Sequence, residues 1–396
     1  MFLAKDFLVV HAKSARAGSM IVNELDSFDF PTSVPLALPA LPVSDFALPE
    51  VADPNFADPH ATDTIANPWS ENRRRHIADL IEHIKETADK LAADGSSRGD
   101  LKLLSRALRE LRYAFKVFSP YRRHRKVTVF GSARTRPDEP AYQQALDFGQ
   151  AMAQHDWMVV TGAASGIMEA GHRGAGREHS MGLNIMLPFE QSANPIIAGD
   201  HKLVNMKYFF TRKLMFVKEC DAVVCLPGGF GTLDEAMEVI TLLQTGKRDL
   251  VPVVLLNAKG GDFWEHLHQF IVTQMLGNRM ISPEDLHLYK ITDDCAAAVD
   301  EVLRFFRVYH SMRYVKNKLV LRLHQALTPQ QLETIHAGFA DILSDGQFVQ
   351  SAALPDERDE PDLALFPRLA FHFDRRSLGR LRRLIDTIND FAGPVA

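Results

Sequence analysis

Between residues 126 and 311, short apolar runs alternate with longer segments whose apolar residues recur at helical spacing. The run from Ala222 to Leu226 is continuous rather than alternating, which is typical of a parallel strand buried on both faces. Strands that alternate with helices favour a doubly wound parallel sheet of the Rossmann-like α/β class. The pattern predicts strands at 126–132, 157–162, 181–187, 202–208, 221–226, 251–257 and 287–292, and helices at 139–155, 166–177, 211–219, 232–245, 262–276 and 294–311.

The chain before this region divides into two parts. Residues 24–70 are rich in proline and keep neither a strand nor a helix period, so we predict that residues 1–70 form an extended or disordered arm. Helical spacing then predicts two helices, at 71–93 and 100–118, which make residues 71–120 an N-terminal helical extension.

The pattern changes again after residue 312. Leu319 to His324 alternates like a strand, and Thr328 with Pro329 predicts the start of a helix that runs to Ser344. Two more strands, at 347–353 and 368–373, and a basic amphipathic helix at 377–391 complete the order β-α-β-β-α. We therefore expect a doubly wound domain at 121–312 and a small α+β module at 313–396, by analogy a ferredoxin-like or ACT-type unit.

The apolar run that ends at Leu226 leads into Pro-Gly-Gly-Phe-Gly-Thr, residues 227–232. A strand, a glycine turn and a helix start together make a phosphate-binding geometry, because glycine lets the backbone approach the anion and the first helical N–H groups face it. Thr232 is a good N-cap for the helix that follows. Glu235 is unexpected beside a phosphate, so we expect this carboxylate to have another task.

Two further glycine turns follow predicted strands, at Gly131-Ser132 and at Gly162 to Gly166. Neither contains Gly-x-Gly-x-x-Gly, so a dinucleotide fingerprint is absent and a mononucleotide fits better. Glycine after a strand is often only a turn, but here several such turns converge on the carboxyl edge of one sheet.

These motifs closely resemble the LOG ("lonely guy") family of phosphoribohydrolases, which were long described as lysine decarboxylases. The resemblance covers roughly residues 126–310 and includes five motifs in order: VFGSA from Val129, TGAASGIMEA from Thr161, GLNIMLPFEQ from Gly182, TRK from Thr211 and PGGFGTLDE from Pro227. It implies hydrolysis of a nucleoside 5′-monophosphate to free base and ribose 5-phosphate. The chain departs from the glycine-rich GGGPG of many members, since it has Ala163, Ala164 and Ser165 in the second turn, and this difference bears on substrate preference.

The resemblance also implies roles for individual residues. Arg212 and Glu235 match the catalytic pair, and the substrate-binding positions match Gly131, Ser132, Gly162, Gly166, Glu169, Glu190, Lys213, Gly228, Gly229, Phe230, Gly231, Thr232 and Thr241. Structural alternatives stay open at three of these residues: a surface ion pair for Arg212, a cap or ion pair for Glu190, and a helix cap for Glu169.

The chemistry of the two catalytic candidates agrees with these roles. A cation at a helix start opposes the helix dipole, so an arginine predicted there suggests a function. Cleavage of an N-glycosidic bond passes through an oxocarbenium-like sugar, which a carboxylate such as Glu235 can stabilise while it directs a water. Arg212 is a poor general acid because its pKa is too high, so the proton for the leaving base comes from water or another group.

Composition limits the remaining options. A net charge of −5 over 396 residues gives no reason to expect nucleic acid as a partner, and no apolar run reaches the length of a membrane span. Three cysteines fit a reducing cytoplasm. The 16 histidines include no HExxH motif, and nothing prepares a pyridoxal phosphate site. We therefore expect a cytoplasmic enzyme without metal or cofactor, and we reject the lysine decarboxylase activity.

Several points stay open at the level of sequence. The substrates implied by the resemblance are AMP and cytokinin ribotides; the alternatives are a broader purine or pyrimidine nucleotide nucleosidase for salvage, regulated through the terminal extensions, and a nucleotide- or cofactor-binding carrier without catalysis. The basic run 121–126 is either a solvated connector or part of a site for an anionic effector. Family members are dimers or larger, so a homodimer or higher homo-oligomer is expected.

Overall fold

The computed structural model describes residues 71–187, 192–357 and 360–393. The predicted arm at 1–70 lies outside these residues. The helices are α1 Glu71–Ala93, α2 Arg98–Phe118, α3 Pro140–Gln154, α4 Ile167–Ala175, α5 Phe209–Glu219, α6 Phe230–Gln244, α7 Phe263–Phe270, α8 Cys295–Arg304, α9 Pro329–Phe339 and α10 Leu378–Asp390. The strands are β1 Lys126–Phe130, β2 Met158–Thr161, β3 Ser180–Ile185, β4 Leu203–Met206, β5 Ala222–Cys225, β6 Val253–Leu256, β7 Lys290–Thr292, β8 Tyr309–Val315, β9 Lys318–Leu323, β10 Leu343–Ser351 and β11 Arg368–Phe373.

The first seven strands form one parallel sheet in the order β4-β3-β2-β1-β5-β6-β7, which confirms the predicted doubly wound α/β fold. The chain builds outward from β1 to β4, then returns to place β5 on the other side of β1. The direction of winding therefore reverses between β1 and β5. Open α/β sheets bind ligands in the crevice beyond the carboxyl ends of the strands at such a switch point.

Alternate residues of the central strands point to opposite faces of the sheet and build two apolar cores. Val127, Val129 and Val224 pack with α3, α4 and α8 on one face. Phe130, Val160 and Cys225 point to the other face, where α5 and α6 cover them. Both faces are therefore buried, which explains why the strands are continuous apolar runs in the sequence.

The last four strands form a second, antiparallel sheet in the order β10-β11-β9-β8. The predicted β-α-β-β-α order lacks β8. The first three residues of this strand fall in the helix predicted at 294–311, whereas the observed helix ends at Arg304. The second sheet shares a core with the first: buried Tyr309 and Leu321 belong to the same apolar cluster as Phe130 and Cys225.

The N-terminal helices show contrasting burial. Ser97 caps α2 with a full capping box, and Glu110 of α2 accepts hydrogen bonds from the Lys207 amide (3.0 Å) and the Thr211 hydroxyl (2.8 Å). The helix α1 is exposed along nearly its whole described length, including apolar Ile81 and Ile84. Among the described residues, no helix is both long and apolar enough to cross a membrane.

Candidate active site

Two glycine turns meet at the switch point between β1 and β5. The Ser132 amide, one residue beyond Gly131, donates a hydrogen bond of 3.1 Å to the Pro227 carbonyl. A β-carbon at position 228 would lie 2.1 Å from Thr232 Oγ1 and 3.0 Å from the Ser132 nitrogen. The two turns are thus in direct contact, and glycine at 228 is required for their close approach.

The third turn, after β2, packs against the first. Gly166 has φ +65°, and a β-carbon there would lie 2.3 Å from the Ser132 carbonyl oxygen. That same oxygen accepts the Ile167 amide at 3.0 Å, and Ser165 Oγ donates to the Ala133 carbonyl at 2.9 Å. The predicted convergence of Gly131-Ser132, Gly162 to Gly166 and Gly228 on one edge is what the structure shows.

The helix α6 begins two residues before the sequence-based start. Its N-cap is Gly229 rather than Thr232, and Gly229 makes no side-chain cap, so the predicted N-cap role of Thr232 was wrong. The first intrahelical bonds run from the Thr232 and Leu233 amides to the Gly229 carbonyl. The preceding amides, those of Phe230 and Gly231, have no intrahelical acceptor and are available to an anion. The Phe230 side chain is 92% exposed.

Arg212 approaches this edge from α5. It is the fourth residue of this helix, whereas the sequence predicted that it would be the second. Its Nη1 would lie 3.5 Å from a β-carbon at Gly162, so the guanidinium faces the second turn. Arg212 Nε is buried without a hydrogen-bond acceptor among the described residues. Burial lowers the pKa of Arg212, and the negative charge of Glu235 opposes this effect. A guanidinium whose buried Nε donor is unused is suited to a ligand that brings its own acceptor.

Glu235 and Lys213 form an ion cluster beside Arg212. Lys213 Nζ lies 3.4 Å from Glu235 Oε2, 2.8 Å from Asp234 Oδ2 and 2.7 Å from Glu238 Oε2. Glu235 is 5% exposed, and its burial raises its pKa although Lys213 and Arg212 both oppose the rise. Burial acts against the charge of Lys213, but hydrogen bonds to Asp234 and Glu238 outweigh it and raise the pKa of the ammonium.

Two of the predicted substrate-binding residues are not brought to this cluster, and the placement of a third is not described. Glu169 is on α4, forms an ion pair of 2.8 Å with Arg173 and interacts with Tyr142 of α3. Thr241 is exposed in the last turn of α6 and donates to the Met237 carbonyl at 2.7 Å. Glu190 lies outside the described residues.

A buried polar network below the second turn was missed by the sequence analysis. His172 is fully buried, and its Nδ1 accepts a hydrogen bond from Asn194 Nδ2 at 3.2 Å. Its Nε2 therefore carries the proton and donates to the Met181 carbonyl at 3.0 Å, with Thr161 Oγ1 at 3.1 Å. Burial lowers the pKa of His172 to about 4, so the ring is neutral near neutral pH.

This network holds Ala163 in a backbone conformation that favours glycine. Ala163 has φ +61°, its amide donates to Thr161 Oγ1 at 3.0 Å, and its carbonyl accepts the Asn194 amide at 2.8 Å. The Asn194 side chain also donates to the Ala164 carbonyl at 3.1 Å. The bonds offset the cost of a left-handed alanine, which is about 1–2 kcal/mol. The only sequence signal was the replacement of glycines in this turn.

We expect Asn194→Ala to lower the free energy of unfolding by about 1–3 kcal/mol, since it leaves buried groups without partners. It should also displace the second turn and slow the reaction proposed below. Adding Ala163→Gly should restore the rate more fully than the stability, because glycine adopts this φ without support. Chemical denaturation and rate measurements on the single and double variants check this. Equal rates for Asn194→Ala with and without Ala163→Gly would contradict it.

Comparisons with known proteins agree with the motif resemblance. The sequence model of the family described as "Possible lysine decarboxylase" matches residues 161–302. The chain is 35% identical over 158 residues to the cytokinin riboside 5′-monophosphate phosphoribohydrolase LOG7 of Arabidopsis thaliana, and the match covers 38% of this chain and 68% of that protein. It is 34% identical over 144 residues to a probable enzyme of the same name, LOG4, of Oryza sativa subsp. japonica, covering 34% of this chain and 59% of that relative.

The match to LOG7 covers more than two thirds of that relative and shows the family. A Rossmann-like sheet with glycine turns at its switch point defines the general class, and the match to LOG7 defines the family within it. The chain belongs to the LOG family. It spans less than two thirds of the LOG4 relative, and most of its own length lies outside the matched segments.

Similar solved structures are more distant. The molybdenum cofactor binding protein of Rippkaea orientalis is 21% identical with a TM-score of 0.32, covering 45% of this chain and 94% of that one. The molybdenum cofactor carrier protein of Chlamydomonas reinhardtii is 22% identical with a TM-score of 0.32, covering 46% and 99%. Similarity at this level carries no conclusion about activity.

Proposed function

We propose that the chain hydrolyses the N-glycosidic bond of nucleoside 5′-monophosphates, which gives free base and ribose 5-phosphate. The observation that supports this most is the position of Arg212 and Glu235 at the switch point, beside glycine turns with unused backbone donors. In this proposal the 5′-phosphate binds to the first amides of α6, including those of Phe230 and Gly231.

Glu235 is proposed to act on the sugar. Its carboxylate stabilises positive charge at C1′ as the bond to the base breaks, and it orients the water that attacks this carbon. Lys213 is held by three carboxylates, so we assign it the task of positioning Glu235 rather than gripping phosphate. Arg212 orients the nucleotide and offsets negative charge on the leaving base, whose proton comes from water or another group.

The chemistry requires no metal or organic cofactor in this proposal, because an anion site and an ion pair supply the charges that the reaction needs. Among the residues that the structure describes, no cluster of three or more His, Cys, Asp or Glu side chains is arranged to hold a metal ion. We also propose a cytoplasmic location. Nucleic acid is not proposed as a partner, given the net charge of −5.

The proposed substrates are AMP and cytokinin ribotides, and a broader nucleotide nucleosidase of salvage is the alternative. We expect purified protein with AMP and chelator to release adenine, while adenosine is a poor substrate because it lacks the phosphate. Product analysis with AMP, N6-isopentenyl-AMP, GMP, CMP and UMP measures the preference. Release of base from N6-isopentenyl-AMP and AMP alone supports the narrower assignment, comparable rates for the whole panel support the broader one, and release from none contradicts the reaction.

We also propose a homodimer or higher homo-oligomer. Apolar side chains on α1, α2 and α5 are exposed, among them Leu80 (56%), Leu108 (54%) and Phe210 (52%). Exposed apolar side chains on several helices are typical of a surface that a subunit contact covers.

Light scattering at micromolar concentration should therefore give at least twice the chain mass. Leu108→Glu should shift the protein toward monomer, whereas Lys102→Glu, an exposed substitution on the same helix, should not. A monomeric wild-type protein contradicts this proposal.

A further inference from the structure

A cavity lies at the amino ends of the parallel strands, on the opposite side of the sheet from the glycine turns. Its volume is about 640 Å³, which is the size of a site for a nucleotide or similar metabolite. Arg125, Asp221 and Val251 line it, and each of them comes just before a strand, at the amino end of β1, β5 or β6. This places the cavity away from the carboxyl edge where the substrate is proposed to bind.

The second sheet closes the cavity. Tyr309, His310 and Ser311 of β8 form one wall, so the site depends on the C-terminal module. Arg125 connects the two sheets: its guanidinium bonds Asp221 at 2.7 Å, donates to the His310 carbonyl at 3.1 Å and lies 4.0 Å from the centre of the Phe306 ring. Arg125 is the member of the basic run 121–126 that is built into this wall.

Most charges in the cavity are already compensated. Arg125 is paired with Asp221, Lys218 with Glu219, and Lys213 with its three carboxylates. Lys247 and Arg248 differ, since neither makes an ion pair within 4.0 Å among the described residues, although Arg248 acts on the neighbouring Asp249 at longer range. Arg248 is instead held by the carbonyl and the sulfur of Cys220. Two adjacent cations that make no ion pair within 4.0 Å among the described residues are suited to a phosphate group.

The next residue, Asp249, adds the opposite charge. It is exposed to the cavity and accepts no hydrogen bond from the described residues. Partial desolvation inside the cavity raises the pKa of Asp249, and the positive charges of Arg248 and Arg322 oppose this rise. A carboxylate that accepts no hydrogen bond from the described residues, beside two cations that make no ion pair with them, fits a ligand that carries both phosphate and N–H or O–H donors.

The remaining wall is apolar, with Leu214 and Val217 of α5, Leu242 of α6 and the exposed ring of Phe210. These side chains can cover the flat or apolar body of a ligand. We propose that this cavity is a regulatory site for a phosphorylated metabolite of nucleotide size, bound through Lys247, Arg248 and Asp249.

The cavity also provides a route to the active site. Lys213 and Glu238 also line it, and Lys213 contacts Glu235. A ligand that forms a hydrogen bond or ion pair with Lys213 or Glu238 changes the ion pairs around Glu235. Binding at the two sites is then coupled. This coupling rests on the proposed hydrolysis, whereas binding to the cavity does not.

Binding is tested by calorimetry with ADP, GDP and inorganic pyrophosphate, on protein whose proposed substrate site carries Arg212→Ala. We expect at least one of these probes to bind. Lys247→Glu should weaken that binding roughly 10- to 100-fold, the loss expected for one charge-assisted hydrogen bond. Asp249→Asn should weaken ADP or GDP more than pyrophosphate, which has no base or sugar donors. Lys318→Glu, at an exposed lysine of the second sheet, is the matched control and should bind like its parent.

The regulatory part is tested on the protein with its active site intact. The probe that binds should change the rate of base release from AMP, and Lys247→Glu should abolish this change while leaving the rate without probe unaltered. Failure of all three probes to bind, or binding that ignores Lys247→Glu, overturns the site. Binding that is sensitive to Lys247→Glu without any change in rate overturns the regulatory role. Absence of AMP hydrolysis itself would count against the proposed function, not against the binding result.

Discussion

Glu235→Gln is expected to lose most turnover of AMP while nucleotide affinity stays close to that of the unmodified protein. Glutamine keeps the size of the side chain, so the contact between Gly228 and Thr232 and the first amides of α6 should persist. The loss of one electrostatic contact to a developing charge typically reduces the rate about 10²–10³-fold. Calorimetry measures the affinity, and single-turnover release of adenine measures the chemistry.

Asp234→Asn is the matched control for this change. Asp234 is the neighbouring carboxylate and also bonds Lys213, but its side chain is 64% exposed. If the charge that matters is at Glu235, Asp234→Asn should retain most of the rate. Near wild-type hydrolysis by Glu235→Gln would instead make Glu235 a structural partner of Lys213, and its catalytic assignment would be withdrawn.

The burial of Glu235 should also be visible in the pH dependence of the hydrolysis rate. Burial raises its pKa above the ordinary value of a glutamate, and the reaction needs the carboxylate form. The rate should therefore fall as the pH drops through this raised pKa, at a higher pH than an exposed glutamate would give. That acid limb should be absent from the residual activity of Glu235→Gln.

Arg212→Ala should weaken both binding and turnover. The guanidinium faces the second turn at Gly162, and its buried Nε has no acceptor among the described residues, so it is ready to contact the nucleotide before the reaction begins. Loss of a charge-assisted hydrogen bond in the bound state costs about 1.5–3 kcal/mol, and loss of transition-state contacts lowers kcat further. Initial rates across AMP concentrations separate the two effects.

Two comparisons make the Arg212 result specific. Arg212→Lys keeps the charge but loses the planar fork, so it should recover only part of the rate. Arg173→Ala removes an arginine that is paired with Glu169 away from the ion cluster, and it should have little effect. Equal losses in Arg173→Ala and Arg212→Ala would indicate a general effect of charge, contrary to the assignment.

The sequence was sufficient to predict features whose causes are local. Buried parallel strands are short apolar runs, and a glycine that follows such a strand marks a turn at the carboxyl edge. The sequence alone therefore predicts that one edge of the sheet carries Gly131, Gly162 and Gly228. The chemistry expected of Arg212 and Glu235 followed from the family resemblance, and the structure adds that the two residues act on each other electrostatically.

Features that depend on distant contacts could not be predicted in this way. The start of α6 is set by packing at the switch point, where Thr232 lies against Gly228 instead of capping the helix. The strand β8 follows α8 after only a short loop, and its pairing with β9 is not visible in a helical period. The network of His172 and Asn194 joins residues 22 positions apart, and neither residue belongs to a recognisable motif.

In the proposed function, this site cleaves a nucleotide rather than merely holding one. The most direct test incubates AMP with excess protein and chelator, then quantifies AMP, adenine and ribose 5-phosphate from the same quenched samples. We predict that AMP disappears as adenine and ribose 5-phosphate appear in equal amounts, and that Glu235→Gln shows binding without products. AMP that binds to the unmodified protein yet is recovered intact would contradict hydrolysis and would favour a nucleotide carrier.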